Sequence, residues 1–177
     1  MDESRTDEIK EAIVATVDQL NMWLLSELEL TDLRVQLVTR SSVRSTVQKF
    51  TAQAHARLVD WDWEKIFFRK VRLKPAWMFE LVQLDNPGAL CFGQVNIKED
   101  YASIEFLERQ TGFDSLKGLV AQIAFQFAAT VARLLGLPEV RLMNPHPDLV
   151  NYYESTLCLT RHLLLGEVQY LSRRLVP

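Results

Sequence analysis

Residues 113–136, FDSLKGLVAQIAFQFAATVARLLG, constrain the fold more than any other stretch. Val120, Ile123, Ala124, Phe127, Ala128, Val131, Leu134 and Leu135 recur at helical spacing, and Ala121, Phe125, Ala129 and Ala132 widen that face. Gln122, Gln126, Thr130 and Arg133 form its only polar stripe. A helix with so little polar surface has to lie against a sheet or be covered on most sides. It follows a strand expected at residues 102–109, through a short loop that contains Lys117 and Gly118. The N–H groups of its first turn therefore face the space beyond the strand end. Unsatisfied donors and the helix dipole both favour an anion such as phosphate there. The same residues also read as an ordinary strand-to-helix connection.

A chain of 177 residues fits one domain, residues 1–177, with a substantial core. The apolar fraction of 48% and mixed charges describe a globular protein, and a net charge of −3 gives no support to nucleic-acid or anionic-membrane binding. No apolar run approaches the ~20 residues of a membrane helix. The opening MDESRTDEIKE has no signal-peptide pattern, so a cytoplasmic protein is expected. Cys91 and Cys158 each lie in an apolar, strand-like run and read as buried thiols. Neither has metal-ligand spacing to His55, His146 or His162, so no metal is expected.

Ile9, Ile13, Val17, Leu20 and Leu24 line one face of a helix over residues 6–27, which with Trp23 and Leu24 offers a surface for a homodimer. Residues 33–39 alternate as a half-buried strand. Ser41 and Ser42 offer the N-cap of a helix whose apolar face is Val43, Val47, Phe50, Ala54 and Leu58. A shorter helix is expected over 62–72, stopped by Pro75. It carries Lys65, Arg69, Lys70 and Arg72 beside Trp61, Trp63, Phe67 and Phe68, with Lys74 following. This interleaving reads either as a site for an acidic or nucleic-acid partner or as a solvated cationic face opposite a buried aromatic one.

After Pro75 the period changes to two. Strands over 76–85 and 89–98 pair about a turn at Asn86-Pro87-Gly88. Both faces of the hairpin are apolar in places, which calls for helices on two sides. Glu99-Asp100 turn the chain into the strand before the central helix, and Gly136 and Pro138 end that helix. A strand over 139–143, a helix opened by Pro147 and two strands meeting at Gly166 complete the chain.

Three segments in this order resemble the GCN5-related N-acetyltransferase (GNAT) superfamily. IEFLERQ leads through a loop into a long helix ending LLGL, followed by the strand EVRLM. HPDLVNYYES is similar to a segment in which Asn precedes Tyr-Glu; Tyr153-Glu154 match, with His146 at the Asn position. EVQYLSRRL is similar to the last strand. The resemblance covers residues 33–176, with residues 1–30 as an additional N-terminal helix. The pyrophosphate loop pattern (Gln or Arg, two residues, Gly, one residue, Gly or Ala) is met best by Ser115-Leu116-Lys117-Gly118-Leu119-Val120, which keeps one glycine. Arg109-Gln110-Thr111-Gly112 is a poorer second. Leu157-Cys158 stand where a Gly-aromatic pair is usual.

The resemblance implies an α/β fold: a mixed, largely antiparallel sheet of six to seven strands with helices on both faces. It implies transfer of an acetyl group from acetyl-CoA, as co-substrate, to an amine, with a non-catalytic binding protein on the same fold as the alternative. The fifth strand would part from the fourth, exposing backbone at Phe106, Leu107 and Glu108 to the pantetheine arm. The pyrophosphate would take backbone N–H groups from Leu116 to Val120, beside Ser115, with charge from Lys117. A base must deprotonate an ammonium of pKa about 10, and an acid must protonate the leaving thiolate. Tyr153 matches the family's acid and otherwise reads as an anchor of its helix. Glu105 is the candidate base, with Glu108 as a second carboxylate that also reads as a solvated strand-end charge. His146 reads as a base or as a surface turn residue. Trp61 and Trp63 are expected to wall the acceptor site.

Overall fold

The structure, a computed structural model, describes residues 3–52, 61–70 and 75–176. Helices α1 (Glu3–Ser26), α2 (Val43–Ala52), α3 (Trp63–Lys70), α4 (Leu119–Leu134) and α5 (Val150–Leu157) surround one seven-stranded sheet. Its strands are β1 (Leu33–Leu37), β2 (Ala76–Gln83), β3 (Asn86–Asn96), β4 (Tyr101–Arg109), β5 (Glu139–Met143), β6 (Thr160–Leu164) and β7 (Glu167–Arg174), in spatial order β1-β2-β3-β4-β5-β7-β6. Every neighbouring pair is antiparallel except β4 with β5. A parallel neighbour needs a crossover, and α4 supplies it, so the apolar helix is what joins the two halves of the sheet.

Period-two alternation sorts the strand side chains onto two cores. Trp77, Phe79, Leu81, Cys91, Ala102 and Ile104 face α1, α4 and α5, whereas Met78, Leu90 and Phe92 face α2 and α3. The apolar stretches on both faces of β2 and β3 are thereby covered, as expected. Eleven of the 16 residues of α4 are buried, including Thr130 from its polar stripe, because α1 packs over the side that the sheet leaves open. Phe127 stacks against Trp77 and Phe79, with ring centroids 5.6 and 4.7 Å away. Gly93 lies beneath Trp77, and a Cβ there would fall 2.2 Å from the indole and 2.4 Å from the Ser103 carbonyl oxygen. Only glycine allows that approach.

Several expectations are corrected. The β2–β3 turn is Leu84-Asp85, both with positive φ (47° and 65°), and Asn86-Pro87-Gly88 already belongs to β3. Two positive φ values match the twist of a two-residue hairpin, and that register won over the turn chemistry of Pro-Gly. Cys158 is exposed, at the left-handed C-cap of α5 (φ 52°), while Cys91 is buried and burial pushes its thiol pKa up. Leu134 is 45% exposed. At the start of α2, the Thr39 carbonyl and hydroxyl receive the Ser42 amide, while the Ser42 hydroxyl receives the Thr39 amide. Leu24 is fully buried and Trp23 packs against the core, so the exposed apolar residues of α1 are Val14, Met22 and Leu25. Ala54, Leu58, Arg72 and Lys74 lie outside the described residues. Among those described, no helix is long and apolar enough to cross a membrane, and no group of three or more His, Cys, Asp or Glu is placed to hold a metal.

Candidate active site

Two features of β4 create an opening in the sheet. It pairs with β5 at four positions, from Tyr101↔Glu139 to Ile104↔Leu142, and no further. It then continues to Arg109 while β5 ends at Met143, so among the described residues its edge from Glu105 onward has no strand on the β5 side. The backbone there keeps hydrogen-bonding capacity that a ligand can use. The register against β3 also slips, from Gly93↔Ile104 to Phe92↔Phe106, leaving Glu105 as the extra residue of a β-bulge.

The bulge fixes where Glu105 points. Ser103 Oγ donates to Glu105 Oε1 at 2.7 Å, and Lys70 Nζ from α3 lies 3.9 Å from Glu105 Oε2. Glu105 therefore faces the α2/α3 side, with its side chain 15% exposed. Phe106 turns the same way and meets Trp61 edge-on at 5.2 Å, while Leu107 packs into the opposite core. Glu108 is no solvated strand-end charge: it is 4% exposed and accepts a 2.7 Å hydrogen bond from Trp63 Nε1. Trp63 is itself completely buried, so it belongs to the core more than to any acceptor wall. A cleft of about 690 Å³ opens between α2 and α3, lined by Val47, Thr51, Trp61, Trp63, Lys65 and Phe68. None of its lining comes from β4 or the loop before α4. The break in the sheet is the more informative feature, because it exposes unpaired backbone.

Beyond β4 the chain makes a 3-10 turn, Asp114–Leu116, and enters α4 through Gly118. Gly118 is the N-cap in a left-handed conformation (φ 82°), and no side chain caps the helix. Among the described residues no hydrogen bond engages the amides of Gly118, Leu119 or Val120, whereas those of Leu116 and Lys117 are donated to the carbonyls of Phe113 and Asp114. The amide set expected at Leu116 to Val120 is thus shortened by two. Leu116 is instead an anchor, its side chain buried beneath Gly88. Ser115 Oγ donates to Gln83 Oε1 at 2.8 Å, and the Lys117 side chain is exposed beside the helix start. In the alternative loop candidate, Gln110 is buried and spent on structure, its amide donating to Gly88 O and its side chain to Phe50 O.

Arg109, which the sequence offered only as part of the poorer loop candidate, and Tyr152, which carried no site signal, organise this region. Arg109 Nη1 donates to the carbonyls of Gln110 and Phe113, both at 3.0 Å, and holds the loop after β4 in shape. Tyr152 donates its hydroxyl to the Gly118 carbonyl at 2.8 Å, tying α5 to the start of α4.

Tyr153 is 8% exposed within the α1/α4/α5 core. Its hydroxyl has no hydrogen-bond partner among the described residues, and it is not among the fully occluded side-chain polar atoms that lack a partner, which among those residues are Trp77 Nε1 and Arg141 Nε. Burial first, and the neighbouring Tyr152 second, push its pKa up to about 12, so the phenol keeps its proton at neutral pH. Glu154 pairs with Arg161 of β6, which holds its carboxyl below the usual range. His146 is exposed and caps the 3-10 turn Pro147–Leu149 that precedes α5, accepting from the Asp148 amide at 3.4 Å. Glu105 and Tyr153 thus stand on opposite faces of the sheet.

No protein-family model matches this sequence, and neither does any curated protein; solved structures do match. The ribosomal-protein-S18-alanine N-acetyltransferase from Escherichia coli has a TM-score of 0.55 at 15% identity, over 79% of this chain and 90% of its own. An acetyltransferase from Thermus thermophilus has a TM-score of 0.59 at 15% identity, over 82% and 99%. Ard1 from Thermoplasma volcanium has a TM-score of 0.58 at 9% identity, over 83% and 100%. At such identities the likeness is one of fold, and the fold of this chain is that of the GNAT superfamily.

Proposed function

We propose that this chain is an acetyl-CoA-dependent N-acetyltransferase acting on an amine acceptor. The observation that carries the reading is the unpaired edge of β4 beyond Ile104, beside uncapped amides at Gly118, Leu119 and Val120. A pantetheine arm is an extended chain with amide groups, which suits an open strand edge at Phe106, Leu107 and Glu108. A diphosphate suits the uncapped start of α4, where Gly118 leaves the approach clear and Lys117 adds positive charge. The acetyltransferases of like fold support the same reading.

The placement of the two candidate catalytic groups on opposite faces of the sheet supports giving them different roles. The amine adds from one side of the acyl carbon and the thiol leaves from another, so base and acid belong on different sides. Glu105, on the α2/α3 face, is assigned to take the proton of the incoming ammonium, directly or through water. Tyr153, held protonated by its surroundings, is assigned to give a proton to the departing thiolate. Ser103 orients the Glu105 carboxylate. The test is release of free thiol from acetyl-CoA on addition of a panel of small amines and peptide N-termini. Release that depends on one amine class supports the transferase. Binding of acetyl-CoA with no release from any amine leaves a non-catalytic binding protein on this fold.

A further inference from the structure

We propose that Lys70 is an intramolecular acetyl acceptor, so that the chain modifies itself on the last residue of α3. The proposal rests on the transferase reading above. Lys70 Nζ lies 3.9 Å from Glu105 Oε2 and 5.5 Å from the centroid of the Phe106 ring. A carboxylate beside an aromatic face is the pair of contacts that holds an ammonium, by charge and by the ring quadrupole. These are the two residues at which β4 bulges and its open edge begins. Among the described residues Lys70 is the lysine paired with a carboxylate of β4; Lys10 pairs with Asp7 within α1. The Lys70 side chain is 39% exposed, and 3.9 Å is longer than a hydrogen bond, so its flexible stem is not locked in place.

The step balances with groups already named. Glu105 takes one proton from the Lys70 ammonium, and the freed Nζ pair forms an amide bond with the acetyl carbon. The thioester C–S bond breaks, and the thiol leaves with the proton supplied through Tyr153, which is replenished from the second proton lost by the amine. The net products are acetyl-lysine, free thiol and one proton. Acetylation removes the charge from Lys70, so its ion pair with Glu105 and its contact with Phe106 both end.

The experiment incubates the full chain with acetyl-CoA alone and maps acetylated peptides by mass spectrometry, while calorimetry on the same preparation measures acetyl-CoA binding. Expected is one acetyl group, on Lys70, at a rate per molecule that does not change with protein concentration. Glu105→Gln should slow it about 100-fold, and Lys98→Arg should leave it as in the wild type. If Glu105→Gln folds poorly, wild type in urea serves instead: on unfolding, Lys70 must lose its lead over Lys98. Modification spread evenly over Lys70, Lys98 and Lys117, or equally fast without Glu105, overturns the proposal. Binding without modification of Lys70 overturns it and leaves the transferase reading standing; absence of binding overturns both.

Discussion

The Tyr152 hydroxyl donates a 2.8 Å hydrogen bond to the carbonyl oxygen of Gly118, the residue that starts α4. Helix α5 and the loop proposed to hold a diphosphate are therefore one mechanical unit, although 34 residues separate the two partners in sequence. Tyr152→Phe removes the bond and keeps the ring. Steady-state kinetics should give an acetyl-CoA KM roughly fivefold higher, the equivalent of about 1 kcal/mol for one hydrogen bond, with kcat nearly unchanged. A fall in kcat at constant KM would assign Tyr152 to the chemical step instead.

Tyr153→Phe should act in the opposite sense. Loss of the phenol proton should lower thiol release by about 100-fold and leave acetyl-CoA affinity as it was. The same variant has a second readout. The folded pKa is raised from the ordinary value of 10 to about 12, so the wild type is fully stabilised below about pH 10 and loses stability as pH rises toward 12. That alkaline limb, on the order of 2 kcal/mol, should be missing from Tyr153→Phe in chemical denaturation at matched pH.

Glu80 offers a pH dependence away from the site. It is 7% exposed on β2 and accepts from Thr46 Oγ1 at 3.3 Å, and burial raises its pKa above the usual carboxylate value. A carboxyl with a raised folded pKa supports the fold below its unfolded value, and that support is lost as pH rises through the folded value. Glu80→Gln should therefore melt higher than wild type at neutral pH, with the gain vanishing near pH 4. A gain that is the same at both pH values would show that burial of the charge is not its source.

Gly93→Ala tests the packing of the sheet. The added methyl meets Trp77 and the Ser103 carbonyl oxygen at distances no relaxed contact allows. The expected loss is roughly 3 kcal/mol, read as a lower denaturation midpoint. A loss below about 1 kcal/mol would mean that the indole of Trp77 does not sit where described.

How much of this was legible in the chain depends on how local each signal is. Helix α4 was, because its apolar residues repeat at one period over 16 residues and nothing else accommodates them. The order of strands followed from period-two runs and their turns. The β2–β3 turn was misplaced because Asn-Pro-Gly has turn chemistry, whereas the pairing of Gln83 with Asn86 puts the reversal at Leu84-Asp85. The bulge at Glu105 is one extra residue in a strand, and a single residue leaves no mark on composition or period. The Trp63–Glu108 bond joins residues 45 apart, so Glu108 gave no sign of being buried. Tyr153 and Glu105 are proposed from the motif order alone, and their placement on opposite faces required the sheet to be assembled.

Acetyl-CoA binding depends most on the uncapped amides at Gly118, Leu119 and Val120 donating to a diphosphate beside the open strand. Isothermal titration of wild type and Gly118→Asp with acetyl-CoA examines this directly. The aspartate brings a negative charge and a Cβ to a residue with φ 82°, where a side chain is strained by about 1–2 kcal/mol. The account predicts micromolar binding by the wild type and at least about 100-fold weaker binding by the variant, with circular dichroism confirming that both are folded. Equal affinity in the two proteins, or no heat from the wild type at millimolar acetyl-CoA, would contradict it.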